Sequence, residues 1–151
     1  MQTFVPYANI KMCAECLDDK RLYKQIVECK QILNTLKAKR DRQRYPNSEA
    51  VKIAWENHPA VLMWEGHDDA LRNYQVACLE EWLRRRYGVV SELKDDTVIA
   101  KYPEWYGDEA VHRSHRLNLL FKDSTHYSKF FDEVVPVEKP EYVWPVRKVK
   151  G

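Results

Sequence analysis

The run DDKRLYKQIVECKQIL, residues 18–33, decides how the chain folds. Its apolar positions Leu22, Ile26, Cys29 and Leu33, continued by Leu36, step by four and three, which draws one stripe along a helix. Asp18 and Asp19 stand where a carboxylate can accept from the free amides of a first turn, so a helix is predicted from there to about Lys39. Arg21, Gln25, Glu28 and Ile32 fall on a second line, at the border of that stripe. A glutamate in this place has two readings. It is either a surface partner of Lys24, four residues earlier, or a working carboxylate on the floor of a groove.

Outward from this run the pattern stays helical. Only 4 of the 151 residues are glycine, and the long segments lack the alternation of strands. Pro59 sits where a helix can begin, Gly66 marks a break, and a second long helix buries Leu71, Tyr74, Cys78 and Trp82 before ending at Gly88. The connection 45–58 is expected to hold a short helix with Trp55 facing inward. Residues 89–107 read as loop with fragments. A third long helix runs from the capping candidate Asp108 through EAVHRSHRLNLLFK, burying Val111, Leu117 and Leu120 or Phe121. STHYSKFF reads as a short helix or turn capped by Ser124, and Pro136, Pro140 and Pro145 favour an extended C-terminal tail. The expected fold is therefore all-α: a single compact helical domain over residues 1–151 with long loops and an extended tail.

The composition, 44% hydrophobic and 32% charged, is that of a globular chain and excludes a disordered one. No run approaches the roughly 18 apolar residues a membrane span needs, and the start MQTFVPYANIK lacks a secretory pattern, so a cytoplasmic protein is expected, in the host cytoplasm if phage-encoded. Net charge is only +2, but the cations come in blocks: KAKRDRQR (37–44), RRR (84–86), HRSHR (112–116) and RKVK (147–150). In HRSHR, Arg113 and Arg116 lie three apart, a spacing that lets both face one phosphate track. Cys13 and Cys16 have the gap of a metal knuckle, yet no second pair follows, and Cys29 and Cys78 fall on apolar faces, so no metal or cofactor is expected.

The blocks LDDKRLYKQIVECKQIL, NHPAVLMW, LRNYQVACLEEWLRRRYG and GDEAVHRSHR, in this order and spacing over most of residues 17–131, resemble the pyrimidine-dimer DNA glycosylases, the endonuclease V type of phage and bacterial DNA-repair enzymes. The resemblance implies an all-α domain that binds duplex DNA, flips a nucleotide and cleaves the glycosidic bond of a damaged or modified pyrimidine. An amine attacks C1′ to give a Schiff base, and β-elimination nicks the strand. Glu28 falls on the family's essential glutamate and Arg21 where the family has a basic residue near the DNA backbone. DNA contacts are then expected from Arg21, Gln25, Arg84, Arg85, His112, Arg113, His115, Arg116 and Tyr127.

Two departures stand out. In the family's best-known member the nucleophile is an α-amine bared by removal of the initiator methionine, whereas here the bulky Gln2 follows Met1 and hinders that removal. An α-amine titrates at about 8 and a solvated lysine at about 10.4, so the order of candidates is Met1, Gln2 if processing occurs, then Lys24 or Lys20. Where the family has adjacent Trp and Tyr, this chain has HYSKFF, with His126 in the tryptophan position and Tyr127, Phe130 and Phe131 as substitutes. The expected protein is a monomeric DNA glycosylase, with or without AP-lyase activity. The alternatives at this stage are a noncatalytic DNA-binding module on the same fold and a small metal protein built on Cys13 and Cys16.

Overall fold

The structure, a computed structural model, describes residues 1–45, 47, 51–88 and 101–145, and among these it contains helices and no strand. The helices are α1 (Ile10–Cys16), α2 (Asp19–Arg44), α3 (Pro59–Leu62), α4 (Asp68–Tyr87), α5 (Glu109–Lys122) and α6 (Ser124–Tyr127). Helix α2 packs along α4, α1 crosses α4, and α6 folds back on α5. Among the described residues no helix is long and apolar enough to cross a membrane.

Helix starts follow local chemistry. Asn9, Asp18, Asp108 and Asp123 each accept a first-turn amide through the side chain, and Pro59 opens α3 behind the capping His58. Asp123, not Ser124, caps α6; its carboxylate accepts from His126 N at 3.1 Å. Gly88 closes α4 at φ +85, a conformation in which a side chain would be strained. Helix α2 runs five residues beyond the expected Lys39.

The buried face of α2 is rotated from the apolar stripe. Leu22, Cys29 and Leu36 are buried, but Ile26 and Leu33 are only half-buried, while Gln25, Glu28, Ile32 and Thr35 are fully inside. The border line of the sequence is in fact the centre of the packed face. The partner that claims it is the N-terminal segment, residues 2–6, which is extended and buried. Burying Val5, Cys13, Leu17, Leu22, Cys29, Leu71, Tyr74, Cys78, Leu119 and Leu120 together makes the core that holds this segment in place.

Several expectations are corrected here. Trp55 does not face inward: it is 57% exposed, with φ +67. Its loop hangs on α2 by backbone carbonyls, with Thr35 donating to Ala54 O, Lys39 to Glu56 O (3.1 Å) and Arg42 to Val51 O (2.8 Å), which turns the indole outward. Residues 51–58 form turns without a helix, and 46 and 48–50 lie outside the described residues. Phe121 is exposed, Leu117 and Trp82 are half-buried, and Leu119 joins Leu120 inside. The block 147–150 and residues 89–100 of the stretch expected to be loop with fragments lie outside the described residues.

Candidate active site

A buried extended segment must find partners for its backbone without a neighbouring strand. Here side chains from α2, α4 and α5 supply them. Glu28 Oε2 accepts from Gln2 N (3.2 Å), and Gln25 Nε2 donates to Gln2 O (2.9 Å). Gln25 Oε1 accepts from Phe4 N (2.7 Å) while Tyr74 OH donates to Phe4 O (2.6 Å). His115 Nδ1 accepts from Val5 N (2.9 Å), His112 Nδ1 donates to Val5 O (2.7 Å), and Arg116 Nη1 donates to Pro6 O (2.8 Å). Trp64 Nε1 donates to the Thr3 hydroxyl (2.9 Å). The chain's own N-terminus is thus bolted across α2, with its second residue on Glu28.

Glu28 is 7% exposed. Its Oε2 also accepts from Gln25 Nε2 at 3.2 Å, and its Oε1 stands 3.8 Å from the ammonium of Lys24, whose side chain is 68% exposed. At that distance and exposure the Lys24 pair adds little to stability. The surface reading of Glu28 therefore loses its physical basis, because the carboxylate is inside and its short contacts are to the N-terminal segment. Met1 is half-buried and packs against the core beside it.

A group of cations centres on Lys122, whose pKa is lowered by burial and further by the positive charges of Arg21, Lys139 and Lys24, each within electrostatic range of it; of these, Lys24 reaches Glu28. Tyr142 has its phenol pushed up to about 12 by burial, with Arg21 lowering it and Glu28 raising it, so the tail reaches the same place. Sequence reading missed Lys122, Lys139 and Tyr142, which lie in the third helix and the tail and carry no motif. It also read Tyr74 as plain core, since a buried phenol and its backbone acceptor leave no trace in periodicity.

The face expected to follow a phosphate track is parted by the fold. Arg113 is exposed, but His112, His115 and Arg116 are 1%, 0% and 9% exposed and clamp residues 5–6. Arg116 also pairs with Glu109 and with Glu133 (2.6 Å), so it presents no free charge to DNA in this arrangement. Tyr127 is fully buried: its hydroxyl donates to Asp18, its ring stacks on Phe131 at 5.7 Å, and Arg21 lies over it at 6.0 Å. Phe131 is core, while Phe130 is 43% exposed. Arg21 itself is half-buried and paired to Asp18 at 3.1 Å. Arg84 pairs with Glu81, and Arg85 with Glu81 and Asp19, at the far end of α4. Lys20 is exposed on the first turn of α2.

The cysteines are built as core. Cys13 and Cys16 donate to backbone carbonyls, and burial pushes the Cys16 thiol up to about 12 and the Cys13 thiol up as well, which opposes the thiolate a metal requires. Among the described residues no three His, Cys, Asp or Glu side chains are grouped to hold a metal. A cleft of about 530 Å³ lies away from Glu28, lined by the paired charges Lys39 with Glu65 and Arg40 with Asp68.

One consequence for stability is direct. Burial holds the His115 imidazole down to about 3, with the electrostatic influence of neighbouring His112 acting the same way, while in the unfolded chain it titrates near 6.5. Between these values the unfolded chain binds the extra proton, so stability from this group rises with pH and is lost as pH falls below about 6.5. At pH 5 the loss is about 2 kcal/mol relative to pH 8. Urea unfolding at both pH values reads it, and His115→Gln, whose carboxamide oxygen can still accept from Val5 N, is expected to show a correspondingly smaller pH dependence. An unchanged dependence would remove His115 as its source.

Comparison with known proteins bears on the same residues. No curated protein and no solved structure matches the chain. The family model described as pyrimidine dimer DNA glycosylase matches residues 1–95, a stretch that holds the N-terminal segment, Glu28, Gln25, Trp64 and Tyr74. The chain belongs to the pyrimidine dimer DNA glycosylase family, a family of DNA-repair enzymes whose substrate is DNA carrying pyrimidine dimers.

Proposed function

We propose that the protein excises damaged pyrimidines from duplex DNA with Glu28 as catalytic carboxylate and the α-amine of its N-terminal residue as nucleophile, and that it then nicks the strand as an AP lyase. The observation that carries this reading is the hydrogen bond from Gln2 N to the buried Glu28 carboxylate at 3.2 Å. It joins the N-terminus to an acid 26 residues away, and one further residue of chain, about 3.6 Å at most, leads to the Met1 amine. Removal of Met1 would instead leave the Gln2 nitrogen itself as a primary amine on Glu28. Lys24, at 3.8 Å from the other carboxylate oxygen, is the lysine alternative.

In the proposed reaction the neutral amine forms a bond to C1′ as the bond from C1′ to the base nitrogen breaks. The base departs from C1′ with that electron pair and takes up a proton, and in a dimer it stays joined to the neighbouring pyrimidine. Sugar opening gives an iminium at C1′, and loss of a C2′ proton expels the 3′ phosphate. Glu28 opposes the positive charge growing at C1′ and relays protons from the amine and to the opening sugar. Lys24 beside this carboxylate, and Arg21 and Lys139 with it around Lys122, supply positive charge suited to backbone phosphates. In this reading residues 1–151 act as one domain and one copy is sufficient.

Borohydride reduction during incubation with dimer-containing duplex tests the chemistry. A covalent adduct whose peptide maps to residue 1 or 2 is the expected result. An adduct on Lys24 would overturn the α-amine, and glycosidic cleavage without any adduct would leave a monofunctional glycosylase using water.

A further inference from the structure

The C-terminal tail lies beyond the residues that match the family, yet it runs to the candidate site. Tyr142, which feels the charges of Glu28 and Arg21, packs on Phe4 and His115 with ring centroids at 6.4 and 5.8 Å. From there rings follow one another outward: Tyr142 to Trp144 at 5.4 Å, Trp144 to His58 at 6.0 Å, His58 to Trp55 at 5.9 Å. Val143 N donates to Ser114 on α5 (3.1 Å), which fixes the tail under this line. At its outer end Trp55 is 57% exposed.

The placing of Trp55 is unusual for a residue with no core contact to make. A large side chain at φ +67 is strained, and an exposed indole gains little from burial to offset it. Its loop is nevertheless held by three donors on α2, the helix that carries Glu28, with Thr35 about 10 Å along the axis from Glu28. Scaffold rigidity, an exposed indole and continuity with the carboxylate occur together. Lys24, 3.8 Å from Glu28, adds a cation suited to a phosphate backbone, and a base displaced from a duplex needs an aromatic surface to replace its lost stacking.

We infer that the aromatic line Tyr142, Trp144, His58 and Trp55 is a stacking surface for a nucleobase displaced from the duplex, with Trp55 as its outer platform. This rests on the DNA-repair reading above but concerns unstacked bases, whatever chemistry follows. Three duplexes test it by equilibrium binding in the Glu28→Gln background: one fully paired, one with a single dimer, and one undamaged but with a single unpaired bulged base. Trp55→Ala is expected to weaken binding to the dimer and bulge duplexes about tenfold, in the range a stacked base contributes, and to leave the paired duplex within twofold. Trp55→Phe is expected to restore most of the loss, and thermal stability to stay unchanged.

An equal loss on all three duplexes, or none on any, would overturn the inference; the second result would fit a surface for a protein partner instead. A bulge effect from Trp55→Ala, alongside wild-type protein that cleaves no glycosidic bond in the dimer duplex, would keep the stacking surface and remove the proposed catalysis.

Discussion

Glu28→Gln is expected to lower glycosidic-bond cleavage in dimer-containing duplex by 10²- to 10⁴-fold, the range of a positioned acid–base group, with less than about threefold change in affinity for the same duplex. The substitution is chosen for what it preserves. A carboxamide oxygen can still accept from Gln2 N, so the N-terminal segment keeps its anchor, while the carboxylate charge proposed to act on C1′ is gone. Single-turnover kinetics with enzyme in excess separates this from a binding defect. Glu28→Ala would be less informative, since it also frees Gln2. Activity of Glu28→Gln within tenfold of wild type would reduce Glu28 to an anchor for the chain terminus and place the group that acts on C1′ elsewhere.

Gln25→Leu is expected to remove about 3–5 kcal/mol of stability, a drop in Tm of roughly 10 °C, with base release falling further than the folded fraction. The magnitude follows from the connections of one carboxamide. It accepts from Phe4 N, donates to Gln2 O and Glu28, and lies 2.8 Å from the Tyr74 hydroxyl, all out of water. Leucine fills much of the space and pairs with none of them, so a buried N–H and a buried carbonyl lose their partners. Gln31→Leu, at an exposed position on the same helix, is the control and should stay within about 0.5 kcal/mol. If both variants unfold alike, the N-terminal clamp carries no appreciable energy, and the placement of residues 1–2 at Glu28 has to come from apolar packing alone.

Positioning and catalysis are tied together at this site. The group proposed to act on C1′ is also the group that holds the N-terminus, and the N-terminus carries the proposed nucleophile. A neighbouring α5 histidine, His115, must stay neutral to accept from Val5 N, which connects acid sensitivity of the fold to the same segment. Loss of activity at low pH would therefore combine protonation of the nucleophile with loosening of the arm that presents it. Urea unfolding of His115→Gln separates the two, because it alters only the second.

Much of the architecture was legible in the residues themselves. The starts of α2, α3 and α5, the break at Gly66 and the stop at Gly88 are set by capping carboxylates, a proline ring and glycines, all of which act within a few residues. The order of the four sequence blocks pointed to the family, and Glu28 was marked as a carboxylate beside a buried stripe. Periodicity shows that a helix has an inner face but not what will cover it, so polar residues at its edge can end on either side. Only the tertiary structure decided that residues 2–6 lie across α2 and draw Gln25 and Glu28 inward. It likewise turned His112, His115 and Arg116 from a presumed DNA face to backbone partners more than a hundred residues away. Their partners are amide and carbonyl groups, which every residue carries and no sequence pattern distinguishes. Tyr127 likewise went inside because its hydroxyl met Asp18 109 residues away, and Trp55 went out because the carbonyls of its loop met side chains of α2.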